Sequence, residues 1–299
     1  MLRRTFIHIP GVGPQTERAL WDDGFVTWDD LLSSRRPAPP VRALRPAIRE
    51  SARRLALGDA SYFHRALPSA ERWRLYPSFL SDAAFLDIET TGLTPGDSVT
   101  TLVGILDRNG YTPFIRGQNL DELAGALRRY RLIVTFNGAR FDLPFLEAEF
   151  GGEGGPPLFH SHAHLDLMHT LRLLGLRGGL KAIERTLGVG RPSRLANLGG
   201  FDAVRLWALA DEGEPGALET LIRYNAEDVA SLPRLAAIAM AELAAGTPLA
   251  DAPCPAFPAF DASTLPFDRS IVEHLPQRKA YRISRRRPGL RPVLNLRRS

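Results

Sequence analysis

The hydrophobic rhythm of the chain changes near Ser81. Residues 83–88 form a short apolar run suited to a buried strand. Residues 99–106 and 111–116 fit two more strands, with Asp107-Arg108-Asn109-Gly110 as the hairpin turn between them. Asn119 or Asp121 is placed to cap a helix running to Tyr130, and residues 132–136 read as a fourth strand. A helix is expected from about Phe141 to Phe150, broken by the Gly- and Pro-rich stretch at 151–157. A fifth strand is expected at 160–167, then helices near 166–174, 179–187, 201–211 and 215–244. Strands followed by a strand–helix alternation predict an α/β fold, a mixed sheet flanked by helices.

Before Ser81 the pattern is helical. Residues 1–35 read as a small N-terminal unit whose apolar positions are Ala19, Leu20, Phe25 and Leu31. Residues 36–80 read as a Pro- and Arg-rich linker leading into a helical connector, with a basic helix over 41–57. After residue 245, a Pro/Ala-rich connector (246–270) leads to a basic C-terminal tail.

Charge sharpens this division. Residues 1–80 carry 13 basic and 8 acidic side chains, residues 81–276 carry 16 and 25, and residues 277–299 carry 9 and none. An acidic middle between basic flanks suits a cation site bordered by phosphate-binding surface. Cys254 is the single cysteine, which excludes an intrachain disulfide or a cysteine-cluster metal site. No apolar run is long enough for a membrane span or a secretory h-region, so a cytoplasmic protein is expected. Only two of the 38 basic residues are lysine, a bias from which no function follows.

Three local patterns carry candidate chemistry. In Phe85-Leu86-Asp87-Ile88-Glu89, alternation puts Asp87 and Glu89 on one face of a strand, with Leu86 and Ile88 turned to the core. Two adjacent carboxylates repel unless protonated or bound to a cation. In Asn137-Gly138-Ala139-Arg140-Phe141-Asp142, a strand ends, turns and starts a helix, and Asp142 sits in the first turn. Tyr224 and Asp228 are four residues apart on a helix and share a face. Each pattern has a plain structural alternative: solvated surface, a helix-start residue, a Tyr–Asp hydrogen bond.

Together and in this order, the three resemble the DEDDy exonucleases of the ribonuclease H-like fold. Their order and spacings are similar to the proofreading domain of family B DNA polymerases. A closer likeness is to stand-alone YprB-type ribonuclease H-like proteins, which share the opening Ile9-Pro10-Gly11-Val12-Gly13. The histidine subtype carries His five positions before its last Asp; Arg223 stands there, indicating the tyrosine subtype. The resemblance implies a ribonuclease H-like domain over 81–245 and a 3′–5′ exonuclease yielding 5′-mononucleotides. It implies two divalent cations, Mg²⁺ or Mn²⁺, held by Asp87, Glu89, Asp142 and Asp228. Asp87 would bridge them, Glu89 and Asp228 would serve the cation bearing the attacking water, and Asp142 the leaving-group cation. Tyr224 would orient the water. The expected partner is nucleic acid with a free 3′ end, DNA slightly favoured over RNA, with contacts from Thr90, Thr91, Leu93, Asn137 and Phe141. A non-catalytic nucleic-acid-binding protein and a structure-specific endonuclease on the same fold are the rival functions.

Weaker signals remain. Gly11-Val12-Gly13 before a helix resembles the second half of a helix–hairpin–helix, in which backbone amides grip a phosphate. Only ten residues precede Gly11, so the first helix of that motif is short or missing. The tail, with Arg285, Arg286 and Arg287, suits phosphate contact. His160, His162 and His164 would share a face of the fifth strand; an exposed or substrate-facing strand is expected there rather than a metal site. Asp166 is expected to cap the next helix, and Lys181 to face solvent.

Overall fold

The computed structural model describes residues 1–35, 39–152, 154–190, 195 and 197–275. Helices α1 (Pro14–Asp22), α2 (Trp28–Ser33), α3 (Pro39–Ala56), α4 (Ala60–Ala66) and α5 (Tyr76–Phe79) precede the sheet. Then come β1 (Ala83–Thr90), β2 (Thr100–Asp107), β3 (Gly110–Ile115), α6 (Leu123–Leu127), β4 (Leu132–Thr135), α7 (Asp142–Phe150) and β5 (Ala163–Asp166). Helices α8 (Leu167–Leu173), α9 (Leu180–Leu187), α10 (Gly200–Asp211), α11 (Ala217–Ala244) and α12 (Arg269–His274) follow. The sheet order is β3-β2-β1-β4-β5. β1 pairs antiparallel with β2 and parallel with β4, and β4 pairs parallel with β5, which is the mixed α/β sheet expected.

Alternation along β1 divides the core. Leu86 and Ile88 join Val103, Ile133, Phe145 and Leu146 in a cluster under α6 and α7. Phe85 faces the other way, into a larger cluster with Leu171 of α8 and Val229, Leu232 and Leu235 of α11. That cluster also contains Leu2, Phe6, Trp28, Ile48, Phe63, Trp73 and Tyr76, so the N-terminal helices share the main core of the sheet.

Several local expectations need correction. β5 starts at Ala163, because His160 bonds back to the Pro157 carbonyl at 2.9 Å and the segment before it is a turn. The three histidines therefore do not line one strand face. His162 bonds the Leu127 carbonyl at 3.0 Å and His164 bonds the Thr135 hydroxyl at 2.9 Å. The helix expected from 119 to 130 is a 3-10 turn at Leu120–Glu122 followed by the five-residue α6. Asn119 accepts the Ile115 amide at 2.7 Å instead of capping that helix. Within the helical connector, residues 58–82 form α4, α5 and 3-10 turns. Among the described residues of the 246–270 connector, Phe257 packs edge-on against Phe85 and Phe260 stacks on Tyr111.

Candidate active site

The site forms where β1 runs past the end of β4. Its pairing with β4 ends at Phe85↔Val134, while pairing with β2 continues to Thr90 with a bulge after Glu89. Asp87 and Glu89 project from the Phe85 face, toward α11. Asp87 is half-buried and Glu89 buried. In α11, Tyr224 and Asp228 lie one turn apart, both buried. Asp142 arrives from the turn after β4, at the start of α7, and is also buried.

That turn is held by Asp166. Its carboxylate accepts the amides of Asn137 at 2.9 Å and Ala139 at 3.1 Å, and caps α8 through Met168 at 3.0 Å. Asn137 has φ 65°, a left-handed conformation that asparagine tolerates better than most residues. Gly138 comes next because a Cβ there would meet the Thr135 hydroxyl at 2.2 Å. Asn137 therefore serves the turn through its backbone, and Asp166 both caps a helix and sets the approach of Asp142.

The acids act on one another. Burial pushes the Glu89 carboxyl up to about 8, with Asp228 and Asp142 adding to it and Asn225 opposing. Asp87 is raised well above the ordinary range by burial and by the charges of Asp142, Glu89 and Asp228. Asp142 is pushed up to about 7, chiefly by burial, with the Asp142 and Ile88 amides opposing and Asp166 adding. Asp228 is raised to about 6 by burial, against the pull of Lys181. The Asp142 Oδ1 atom is buried with no hydrogen-bond partner among the described residues.

Lys181 of α9 does not face solvent as expected. Its ammonium pairs with Asp228, lies 3.9 Å from Glu184 and sits 5.7 Å from the Tyr224 ring centroid. Burial works against its charge, but Asp228 and Glu184 outweigh it and hold the group above its ordinary value. Burial and the charges of Asp228, Glu89 and Asp87 raise the Tyr224 phenol, which keeps its proton at any neutral pH.

The hard carboxylate oxygens and the unpartnered Asp142 oxygen suit a divalent cation. As the side chains stand, no group of three His, Cys, Asp or Glu residues among the described residues is close enough to hold a metal ion. Three of the four acids already have other partners, Lys181 on Asp228 and Asn225 on both Asp87 and Glu89.

The residues expected to touch nucleic acid fall into three groups along the chain. Thr90 is buried and bonds the Gly92 carbonyl, and Thr91 accepts the Val99 amide at 3.0 Å. Leu93 is 72% exposed on the loop that follows. Phe141 is half-buried against Phe145. Gly11 and Gly13 open α1, in the N-terminal helices. Arg285, Arg286 and Arg287 lie outside the described residues. Asn225 escaped sequence reasoning: it is fully buried and donates to Asp87 Oδ2 at 2.9 Å. Gly104, a glycine inside an apolar strand, was the signal that something passes close by.

Comparison with curated proteins gives no match. Among solved structures, the family B DNA polymerase from the hyperthermophilic archaeon Pyrobaculum calidifontis is similar at 18% identity and a TM-score of 0.40. The likeness covers 56% of this chain and 26% of the polymerase. No helix among the described residues is long and apolar enough to cross a membrane. The family RNase_H_2 matches residues 84–240, just over half of the 299 residues, and the chain belongs to the RNase_H superfamily.

Proposed function

We propose that this chain is a metal-dependent 3′–5′ exonuclease of the DEDDy type, acting on nucleic acid with a free 3′ end, with DNA slightly favoured over RNA. The observation that carries this reading is that four carboxylates and a tyrosine, drawn from β1, α7 and α11, gather where the central strand β1 runs past β4, with Asp142, Glu89 and Asp228 all close enough to raise Asp87. Membership of the superfamily supports it. Such an arrangement is costly unless cations offset the charge.

Asp87, Glu89, Asp142 and Asp228 would hold two divalent cations, Mg²⁺ or Mn²⁺. When bound, such ions offset the charge on the reacting phosphate and place the attacking and leaving oxygens. Asp228 joins such a site by sharing or releasing Lys181, whose ammonium is then available to a phosphate. Tyr224 keeps its proton, so it orients the attacking water through its hydroxyl and does not act as the base. Thr90, Thr91, Leu93, Asn137 and Phe141 would seat the terminal nucleotides. The amides at the start of α1 and the basic tail would hold the strand farther away.

The test is cleavage of end-labelled single- and double-stranded DNA and RNA by the full-length chain, with Mg²⁺, with Mn²⁺ and with chelator. Stepwise loss of 5′-mononucleotides from the 3′ end is expected, only with cation. Asp87→Ala and Asp228→Ala should fold and not cleave. No cation-dependent product on any substrate, or full activity in both variants, rejects the reading. Cutting of circular single strands points instead to an endonuclease, and binding without cleavage to a non-catalytic binder.

A further inference from the structure

A buried amide links the two β1 acids, and none of the three sequence motifs called for it. Asn225 Nδ2 donates to Asp87 Oδ2 at 2.9 Å, and lies 3.3 Å from the Asp87 carbonyl oxygen and 3.4 Å from Glu89 Oε1. Its Oδ1 accepts the Tyr111 hydroxyl at 2.8 Å. We infer that Tyr111 and Asn225 are positioning residues, a buried relay that holds the Asp87 and Glu89 carboxylates side by side for the cations. The inference rests on the nuclease reading above and assigns how its first two acids are aimed.

The chemistry allows one orientation of the amide. With cations bound the two groups are carboxylates, which only accept, so the NH₂ must then face Asp87 and Glu89 and the carbonyl must face Tyr111. Burial and the charges of Glu89 and Asp87 raise the Tyr111 phenol far above its ordinary value, so it remains a donor. Asn225 has no solvent exposure, so water cannot take over either role. Tyr111 is held in turn by Phe260, whose ring stacks on it at 5.8 Å with 21° between planes.

The strand beside β1 is built around this relay. Gly104 of β2 is the cross-strand partner of Asp87. A Cβ at Gly104 would lie 1.8 Å from Asn225 Oδ1 and 2.7 Å from Tyr111 Cε2. Glycine weakens a strand interior and is found there where another group passes close by. Here the passing group is the amide that reaches the two acids. A bystander amide would not require this opening, and would not contact both carboxylates.

The test measures Mn²⁺ affinity by calorimetry and the Mn²⁺ dependence of cleavage, using the full chain. Partners behind metal ligands typically change affinity by about 10–100-fold. Asn225→Ala should weaken Mn²⁺ at least about tenfold and raise the half-maximal Mn²⁺ for cleavage by the same factor. Saturating Mn²⁺ should restore most of the turnover, and KM for nucleic acid should not move. Tyr111→Phe should weaken Mn²⁺ by about threefold alone, and not at all beside Asn225→Ala, because the hydroxyl acts only through the amide. Gly104→Ala, which keeps both side chains but displaces the amide, should mimic Asn225→Ala and serves if that variant does not fold. Wild-type affinity in Asn225→Ala, equal effects of Tyr111→Phe in both backgrounds, or wild-type affinity in both Tyr111→Phe and Gly104→Ala overturns the relay. A wild type that cleaves while Asn225→Ala is unaffected rejects the relay and keeps the nuclease. A wild type with relay-dependent Mn²⁺ binding and no cleavage rejects the nuclease and keeps the relay. A wild type that neither binds Mn²⁺ nor cleaves rejects both.

Discussion

Glu17 and Asp142 are acids buried to the same depth, 2% and 3% exposed, and the protein treats them in opposite ways. Glu17, on α1, accepts the amides of Phe6 at 2.6 Å and Ile7 at 3.0 Å, and both of its oxygens face Arg74 at 2.8–2.9 Å. Arg74 also bonds Glu71 at 2.7 Å. Asp142 has one oxygen without a partner among the described residues and the carboxylates of Asp87, Glu89 and Asp166 nearby. A buried charge with every partner in place is part of the scaffold. A buried charge left short of partners beside others of its own sign weakens the fold, and its presence calls for a role outside the fold.

The sharpest way to break this contrast is to neutralise Asp142 without changing its shape. Asp142→Asn should lower cleavage by about 10³-fold, about 4 kcal/mol of barrier. With chelator at pH 8 it should also make the protein more stable, by about 2 kcal/mol, because one repelling charge has gone. Activity and thermal unfolding on one preparation check both. A variant that loses stability would place Asp142 in the same class as Glu17. Glu17→Ala should do the reverse. It strands the Arg74 guanidinium and two amides, and should cost about 3 kcal/mol in denaturant unfolding. Any fall in cleavage should then vanish where the variant is fully folded.

The two regions also respond to pH with opposite sign. Raised carboxyls bind protons more tightly folded than unfolded. Their stability is therefore fully present below the ordinary values of 3.8–4.5 and is lost as pH rises through about 6–8. Burial lowers His8, His64 and His164 from 6.5 to about 4. Their stability is present above 6.5 and is lost as pH falls through about 4. Between about pH 4 and 6.5 the two responses therefore oppose each other, and above 6.5 only the carboxylate loss remains, so the melting temperature of metal-free protein should change little in acid and fall from about pH 6.5 to 8. In Asp142→Asn that fall should be shallower. A wild-type curve flat from pH 6 to 9 with chelator would remove the carboxylate half of the contrast.

How much of this was legible beforehand follows from periodicity. Asp87 and Glu89 alternate with Leu86 and Ile88, so a strand with a polar stripe could be read directly, and Tyr224 and Asp228 share a face by helical spacing. Asn225 follows Tyr224 in the chain and looks like any polar helix residue. Its burial depends on a strand more than a hundred residues away, and only Gly104 hinted at it. Residues 58–82 carry Phe63, Trp73, Tyr76 and Phe79 without a helical period, because much of the segment is 3-10 turn, and so their place in the core was missed. The alternating His160, His162 and His164 imitate a strand, but a turn and three separate hydrogen bonds claim them. Lys181 sits at helical spacing for solvent, and only the tertiary approach of α9 to α11 gives it Asp228.

The smallest effect belongs to the N-terminal helices, where the contrast can be sharpened without touching the acids. Gly13 is the residue before α1, in extended conformation (φ −96°, ψ 179°), with no side-chain cap and nothing within 4 Å of a Cβ there. A substitution at Gly13 therefore meets no strain, unlike one at Gly11, where φ is +84°. Aspartate is a favoured residue at this position and should leave the helix as stable or slightly more so. If the α1 amides grip a phosphate, the new carboxylate will occupy or repel that site. Gly13→Asp should then weaken nucleic-acid binding by about fivefold at low salt, roughly 1 kcal/mol, with the difference shrinking as salt rises. Turnover of bound substrate should stay the same, because Gly13 lies outside the elements β1, α7 and α11 that carry the acids. Equal affinity at low salt would assign the Gly-Val-Gly opening to the scaffold alone, alongside Glu17.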